Sequence, residues 1–149
     1  VAREIGRVDG IFGHSFGAFT SAYTAPKLPG VKALALIGAP DRLDFMLDYA
    51  RRLMDAPDHI VRNLEGRIEK LSGEPVDDHA AHLYLAGQDL PRLVIHDAKD
   101  RDVPIARAVE MAKQLEAEMF QTDGYGHHRI LQSPEVAEKL ASFFADKAL

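Results

Sequence analysis

The sequence predicts an α/β protein built on a parallel sheet, and three observations carry that prediction. Short apolar runs at residues 8–12, 31–37, 92–96 and 119–122 alternate with stretches of helical spacing, as a sheet with helical crossovers requires. The run at 31–37, Val-Lys-Ala-Leu-Ala-Leu-Ile, is almost continuously apolar, which is the pattern of a strand covered on both faces. A Gly-x-Ser-x-Gly pentapeptide, Gly13-His14-Ser15-Phe16-Gly17, stands between the first run and a helical segment rich in small residues.

Taken in order, the strand at 8–12 leads through the pentapeptide into a helix over 17–25, and Pro29-Gly30 turns the chain into the strand at 31–37, which Gly38-Ala39-Pro40 ends. From 41 to 88 the strand signals disappear. Leu43, Met46, Leu47, Ala50, Leu53 and Met54 share one helical face and Ile60, Leu64, Ile68 and Leu71 another, which predicts a small helical lid inserted into the sheet pattern. The sheet resumes at 92–96. A helix over 105–118 follows Pro104, the last strand lies at 119–122, and a helix from Pro134, capped by Ser133, runs to Lys147. The chain thus divides into 1–40 with the pentapeptide, 41–88 as the lid, and 89–149 with two further loops and the C-terminal helix.

The pentapeptide reads as a nucleophile elbow, a tight turn that lifts a serine hydroxyl off the sheet. Side chains at Gly13 or Gly17 are expected to collide with neighbouring backbone, leaving Ser15 free to project. The helix that opens here aims the Phe16 N–H at the place where an oxyanion would form. A serine nucleophile needs a base and the base an orienting acid. The strand at 92–96 empties into His96-Asp97-Ala98-Lys99-Asp100-Arg101-Asp102-Val103-Pro104, which offers three carboxylates. The strand at 119–122 leads into Asp123-Gly124-Tyr125-Gly126-His127-His128, where two glycines free the loop to aim an imidazole. The order serine, acid, histidine along the chain separates this arrangement from those of chymotrypsin and subtilisin.

In these three segments the chain resembles the C-terminal part of an α/β-hydrolase of the serine esterase type. Gly13-His14-Ser15-Phe16-Gly17-Ala18 is similar to the family's G-H-S-x-G-[GA] elbow, and the loop from His96 to Pro104 to its H-[GD]-x-x-D-x-x-V-P acid loop. Gly124-Tyr125-Gly126-His127-His128-Arg129-Ile130-Leu131 resembles the G-x-G-H-x-x-I-L histidine loop of a bacterial subgroup. The resemblance implies Ser15 as nucleophile, Asp100 as acid and His127 as general base, with Asp97 and Asp102 as rivals to Asp100. Asp102 could instead cap the following helix, His128 is expected to face outward and His96 to hold the loop turn by hydrogen bonds. His14 is expected to pack under the elbow or border the substrate pocket, and Phe45 and Met46 are expected at that pocket.

Members of this family carry several strands and helices before the elbow, including a loop that supplies a second oxyanion donor, whereas only residues 1–7 precede the elbow strand here. The resemblance therefore implies an α/β-hydrolase fold truncated at the N-terminus, whose elbow strand keeps one bare apolar edge. Pairing of that edge with a second copy, or with the lacking N-terminal half, is the expected partner interaction. The implied activity is hydrolysis of an ester-like acyl bond in a small molecule through an acyl-serine. The alternatives are an inactive module that binds a ligand or partner, and an acyltransferase on the same scaffold.

Composition narrows the classes further. A formal charge of -5 argues against nonspecific nucleic-acid binding, and the basic residues Arg51, Arg52 and Arg62 to Lys70 read as a solvated helix face. The absence of cysteine excludes disulfides, thiolate metal sites and cysteine catalysis. No secretory leader or membrane-spanning run is read, since the most apolar stretch, 31–40, is far too short. No membrane association is expected, and a cytoplasmic location is the default. Neither a dinucleotide fingerprint nor a P-loop is present, so no cofactor is expected. The cluster Asp77-Asp78-His79-Ala80-Ala81-His82 has metal-ligating residue types but reads more simply as an acidic helix start, and no metal is assigned.

Overall fold

In the computed structural model, which describes residues 6–148, four strands lie side by side in the order of the sequence and all run parallel. They are β1 (Gly10–His14), β2 (Ala33–Ile37), β3 (Arg92–Asp97) and β4 (Glu118–Thr122). The helices are α1 (Phe16–Thr24), α2 (Leu43–Met54), α3 (Asp58–Ser72), the short α4 (Ala81–Tyr84), α5 (Ile105–Gln114), the short α6 (Gly126–Arg129) and α7 (Pro134–Lys147). Among the described residues no helix is long and apolar enough to cross a membrane.

Helices cover both faces of the sheet, which explains the continuous apolar strands. Leu34 and Leu36 of β2 point to one side with Val94, against Ala18 and Ala22 of α1 and Ala108, Met111 and Ala112 of α5. Ala33, Ala35 and Ile37 point to the other with Leu93 and Ile95, against Val136 and Phe143 of α7. All five residues of β2 are buried, as a strand with partners on both edges and helices on both faces must be. β1 lacks the second edge partner among the described residues and is only half buried, with Phe12 58% exposed.

Several boundaries differ from those expected, two of them for a physical reason that is plain. β1 runs two residues further than the 8–12 stretch because the turn after it is a single residue: His14 still pairs with Ile37, and the Ser15 N–H donates to the Ile37 carbonyl at 2.9 Å. The helix expected over 105–118 stops at Gln114, since Glu116 takes a left-handed φ of 50° that no helix continues. The 41–88 region does form helices, but they do not share one role. α2 lies over the sheet's C-terminal end, whereas α3 has no buried residue and leaves Ile60, Leu64 and Leu71 exposed.

Candidate active site

The C-terminal ends of the parallel strands bring together three loops from distant parts of the chain. Ser15 leaves β1 at φ 56° and ψ -127°, a conformation unfavourable for a residue with a side chain and characteristic of stored local strain. Gly13 makes the turn possible: a Cβ there would run into the Gly17 carbonyl and lie 2.7 Å from the Ala18 nitrogen. Gly17 does not repeat this constraint. A Cβ at that position meets nothing within 4 Å, so the second glycine of the pentapeptide is not required by packing within the described residues, contrary to expectation.

Ser15 Oγ lies 2.9 Å from His127 Nε2, and His127 Nδ1 lies 2.7 Å from Asp100 Oδ2. With the Nδ1 hydrogen donated to the carboxylate, Nε2 is left as an acceptor for the serine hydroxyl. The other Asp100 oxygen accepts the N–H groups of Asp102 at 2.8 Å and Val103 at 2.9 Å, which fixes the carboxylate plane. Burial opposes charge on Asp100, but the hydrogen bond from His127 and these two N–H donors outweigh it and hold the carboxyl below its ordinary range. At His127 burial likewise disfavours the cation, and the Asp100 hydrogen bond and charge overcome it, raising the imidazole above its ordinary value. The Ser15 carbonyl accepts the Ala18 and Phe19 N–H groups at 3.0 and 3.2 Å, while the Phe16 and Gly17 N–H groups at the start of α1 have no acceptor within the helix.

The rival carboxylates have other partners. Asp97, fully buried at the end of β3, accepts from Thr122 Oγ1 at 2.8 Å and from the N–H groups of Lys99, Tyr125 and Gly124 at 2.9, 3.0 and 3.3 Å. Burial alone would raise its pKa, yet the N–H of Gly126, the Thr122 hydroxyl and the N–H groups of Lys99 and Tyr125 bring it well below the usual carboxylate range. Asp97 thereby ties the histidine loop to the acid loop. Removing it as Asp97→Ala orphans several buried donors, so a stability loss of roughly 3 kcal/mol is expected in denaturant unfolding at neutral pH. A depressed folded pKa gives stability that is present above the ordinary carboxyl value and lost as pH falls through the folded one. The gap between wild type and variant should therefore narrow in strong acid. Asp102 does not cap α5, whose preceding residue Pro104 carries no side-chain cap. It accepts the Tyr49 hydroxyl from α2 at 2.9 Å and faces His128 Nε2 at 3.4 Å.

The remaining histidines divide by environment. His96 is buried and donates from Nε2 to the Val103 carbonyl at 2.8 Å, bracing the acid loop, and burial lowers its pKa. His128 is exposed. Of the two places expected for His14, it does not border the cleft beside Ser15: its Nε2 donates to the His127 carbonyl at 2.7 Å. Its pKa is lowered, chiefly by burial. Gly38, at φ 54° after β2, lets both rings approach, since a Cβ there would stand 3.4 Å from the His127 and His14 rings. Sequence reading saw Gly38 only as a strand end. No local signal marks a glycine whose neighbour is 89 positions away.

A cleft of about 350 Å³ opens beside Ser15 and His127, walled by Phe45, Met46, Tyr49, Ala50 and Leu53 of α2 with Pro40 and Val103. Phe45 and Met46, expected at the pocket, line this cleft, while α3 is absent from its lining. His79 of the Asp77 to His82 cluster is engaged by Tyr84 Oη at 2.7 Å and Ser72 Oγ at 3.1 Å. Among the described residues the group compact enough for a cation is Asp100, Asp102 and His127, with ligand atoms within 4.8 Å, and two of these already bond to each other.

Four parallel strands, helices on both faces and the strand-elbow-helix unit define an α/β-hydrolase fold. Residues 70–149 match the family model described as TAP-like protein, and the chain belongs to this family of α/β-hydrolases. No curated protein matches it in sequence. Among solved structures, it resembles the esterase domain of a Rhodothermus marinus protein at 17% identity and a TM-score of 0.69, covering 95% of this chain and 62% of that one. The Pyrococcus furiosus esterase Pf2001 gives 18% identity and a TM-score of 0.67, with 94% of this chain and 54% of that one covered. The propionate-bound esterase Est2 of Thermogutta terrifontis gives 14% and 0.63, with coverage of 92% and 55%. At these identities the likeness is one of fold, and the chain spans between about half and two thirds of each structure's length.

Proposed function

We propose that the chain is a serine hydrolase acting on an ester-like acyl bond. The observation that carries the reading is the unbroken hydrogen-bond chain from Asp100 through His127 to Ser15, at 2.7 and 2.9 Å, ending at the mouth of an apolar cleft. Ser15 Oγ attacks the acyl carbon as its proton passes to His127 Nε2, while Asp100 stabilises the imidazolium. The Phe16 N–H stabilises the oxyanion. Collapse breaks the bond to the leaving oxygen, which takes the proton from His127 and leaves an acyl-Ser15 ester. Water then gives a proton to His127 as it attacks that ester, and the collapse of this second intermediate returns the proton from His127 to Ser15 Oγ, releasing the carboxylic acid and restoring Ser15. The esterases among the structural neighbours, one of them holding propionate, support this choice of bond.

The direct test is reaction with a fluorophosphonate followed by peptide mapping. A single adduct on Ser15 is expected; an unlabelled chain, or an adduct elsewhere, would return the protein to the class of binding modules.

The α2 face gives a second expectation. Phe45 and Met46 wall the cleft and are only half buried. Exchanging Met46 for Ala should change the ratio of kcat/KM between long- and short-chain esters roughly threefold or more, on the scale of a lost apolar contact of a few methylenes, while Tm moves by only a few degrees. An intact preference with a lowered Tm would make Met46 a packing residue.

A further inference from the structure

Two hollows of opposite character meet at His127. The cleft beside Ser15 is mostly apolar, with Phe45, Met46, Leu53 and Val103 in its walls, and it shares Asp102, His127 and His128 with the second hollow. The second hollow, about 510 Å³, touches His127 but not Ser15, and its rim carries Lys99, Arg101 and Arg129. In a chain of formal charge -5 this concentration of three cationic groups is local and one-sided.

Its charge is only partly compensated. The Arg129 guanidinium bonds the main-chain carbonyls of Gly124 at 2.9 Å and Tyr125 at 3.2 Å, neutral acceptors that leave its full positive charge in place. Arg101 is exposed and forms no ion pair among the described residues. Lys99 is paired with Asp123 at 2.8 Å in an exposed contact. The single carboxylate of the lining, Asp102, is engaged by the Tyr49 hydroxyl and faces His128.

The chemistry of the step assigns a side to each hollow. When the acyl–oxygen bond breaks and acyl-Ser15 forms, the proton on His127 Nε2 goes to the departing oxygen, so that oxygen lies against the imidazole. The acyl part remains on the Ser15 side, in the apolar cleft. Whatever the departing alcohol carries extends past His127, toward the guanidinium groups of Arg101 and Arg129, whose planar forks suit a carboxylate or phosphate. We infer that the preferred substrates join an apolar acyl group to an alcohol bearing an anionic group, with Arg101 and Arg129 as its recognition residues. This inference rests on the serine hydrolase reading and names the substrate class for that same site.

The test uses two butyrate esters with leaving phenols of matched acidity, one of 3-hydroxybenzoate, which carries a carboxylate, and one of 3-methylphenol, which does not. The ratio of their kcat/KM values is read in wild type, Arg129→Gln and Arg101→Glu. At low ionic strength wild type is expected to favour the anionic ester roughly three- to tenfold, the scale of exposed charge recognition, and to lose that margin in about 1 M salt. Arg129→Gln should reduce the ratio and Arg101→Glu should bring it to one or below. A ratio near one in wild type, or one that neither substitution moves, overturns the inference while turnover of the methylphenyl ester leaves the hydrolase reading standing. If neither ester is cleaved and the fluorophosphonate leaves Ser15 unmodified, both readings fall.

Discussion

Replacing Ser15 with alanine is expected to lower ester turnover by several orders of magnitude, about 10⁴- to 10⁶-fold, because the acyl-enzyme can no longer form. The substitution removes one hydroxyl from a partly buried position whose only side-chain partner among the described residues is His127 Nε2. It should leave the fold intact and relieve no packing, so Tm serves as the control. The strained backbone at φ 56° also makes a distinct expectation available: Ser15→Gly, which releases the strain, should be at least as stable as the alanine variant and equally inactive. Ester turnover that survives in Ser15→Ala at its original rate would assign the chemistry to a different nucleophile.

Asp100→Asn carries the second large effect and the clearest dependence on pH. The amide keeps an oxygen to accept the Asp102 and Val103 N–H groups but presents no charge to His127. Loss of the charge and of the tautomer control is expected to cost about 10⁴ in kcat, the scale seen for such acids in serine triads. The base works as neutral imidazole, so kcat/KM in the wild type should fall as pH drops through the His127 pKa. Asp100 raises that pKa above the ordinary 6.5, which sets the acid limb above 6.5. Without the charge, burial is left as the dominant influence and the limb should move to lower pH. Stability follows the same pair. Asp100 has a depressed pKa, so its contribution is present above 3.8 and lost as pH falls through its folded value. His127 has a raised pKa, so its contribution is complete below 6.5 and is lost as pH rises through the folded value. Thermal unfolding should therefore show the largest penalty for Asp100→Asn between the two ordinary values. An acid limb that stays in place in the variant would detach Asp100 from the base.

Much of the fold was legible before any coordinates, and for a physical reason. Strands buried on both faces must be apolar throughout, so β2 and β3 announce themselves, and the order of strands along the sheet follows from parallel pairing with helical crossovers between neighbours. The elbow was legible because a strand can enter a helix within one residue only with glycine at the crowded position, and Gly13 is that residue. The helix starts at Pro134 and Ile105 were marked by proline, and the first also by Ser133, whose hydroxyl accepts the Val136 N–H.

What the sequence by itself determined are the local devices: the parallel strands, the elbow, the two loops at strand ends and the amphipathic α2. Each arises from interactions among residues close along the chain or from burial of a single element. The tertiary structure decided which of the chemically equivalent groups meet. Three carboxylates stand within six residues of the acid loop, yet Asp97 is taken by Thr122 and by backbone N–H groups of the next loop, Asp102 by Tyr49 of α2, and of the three Asp100 alone bonds the His127 ring. It likewise turned His14 toward the His127 carbonyl and left the α3 stripe exposed while α2 covered the cleft. These choices depend on partners up to 113 residues away. A hydrogen bond is directional and reaches about 3 Å, so residue type and spacing can nominate its donors and acceptors, but only the packed sheet brings one pair within range.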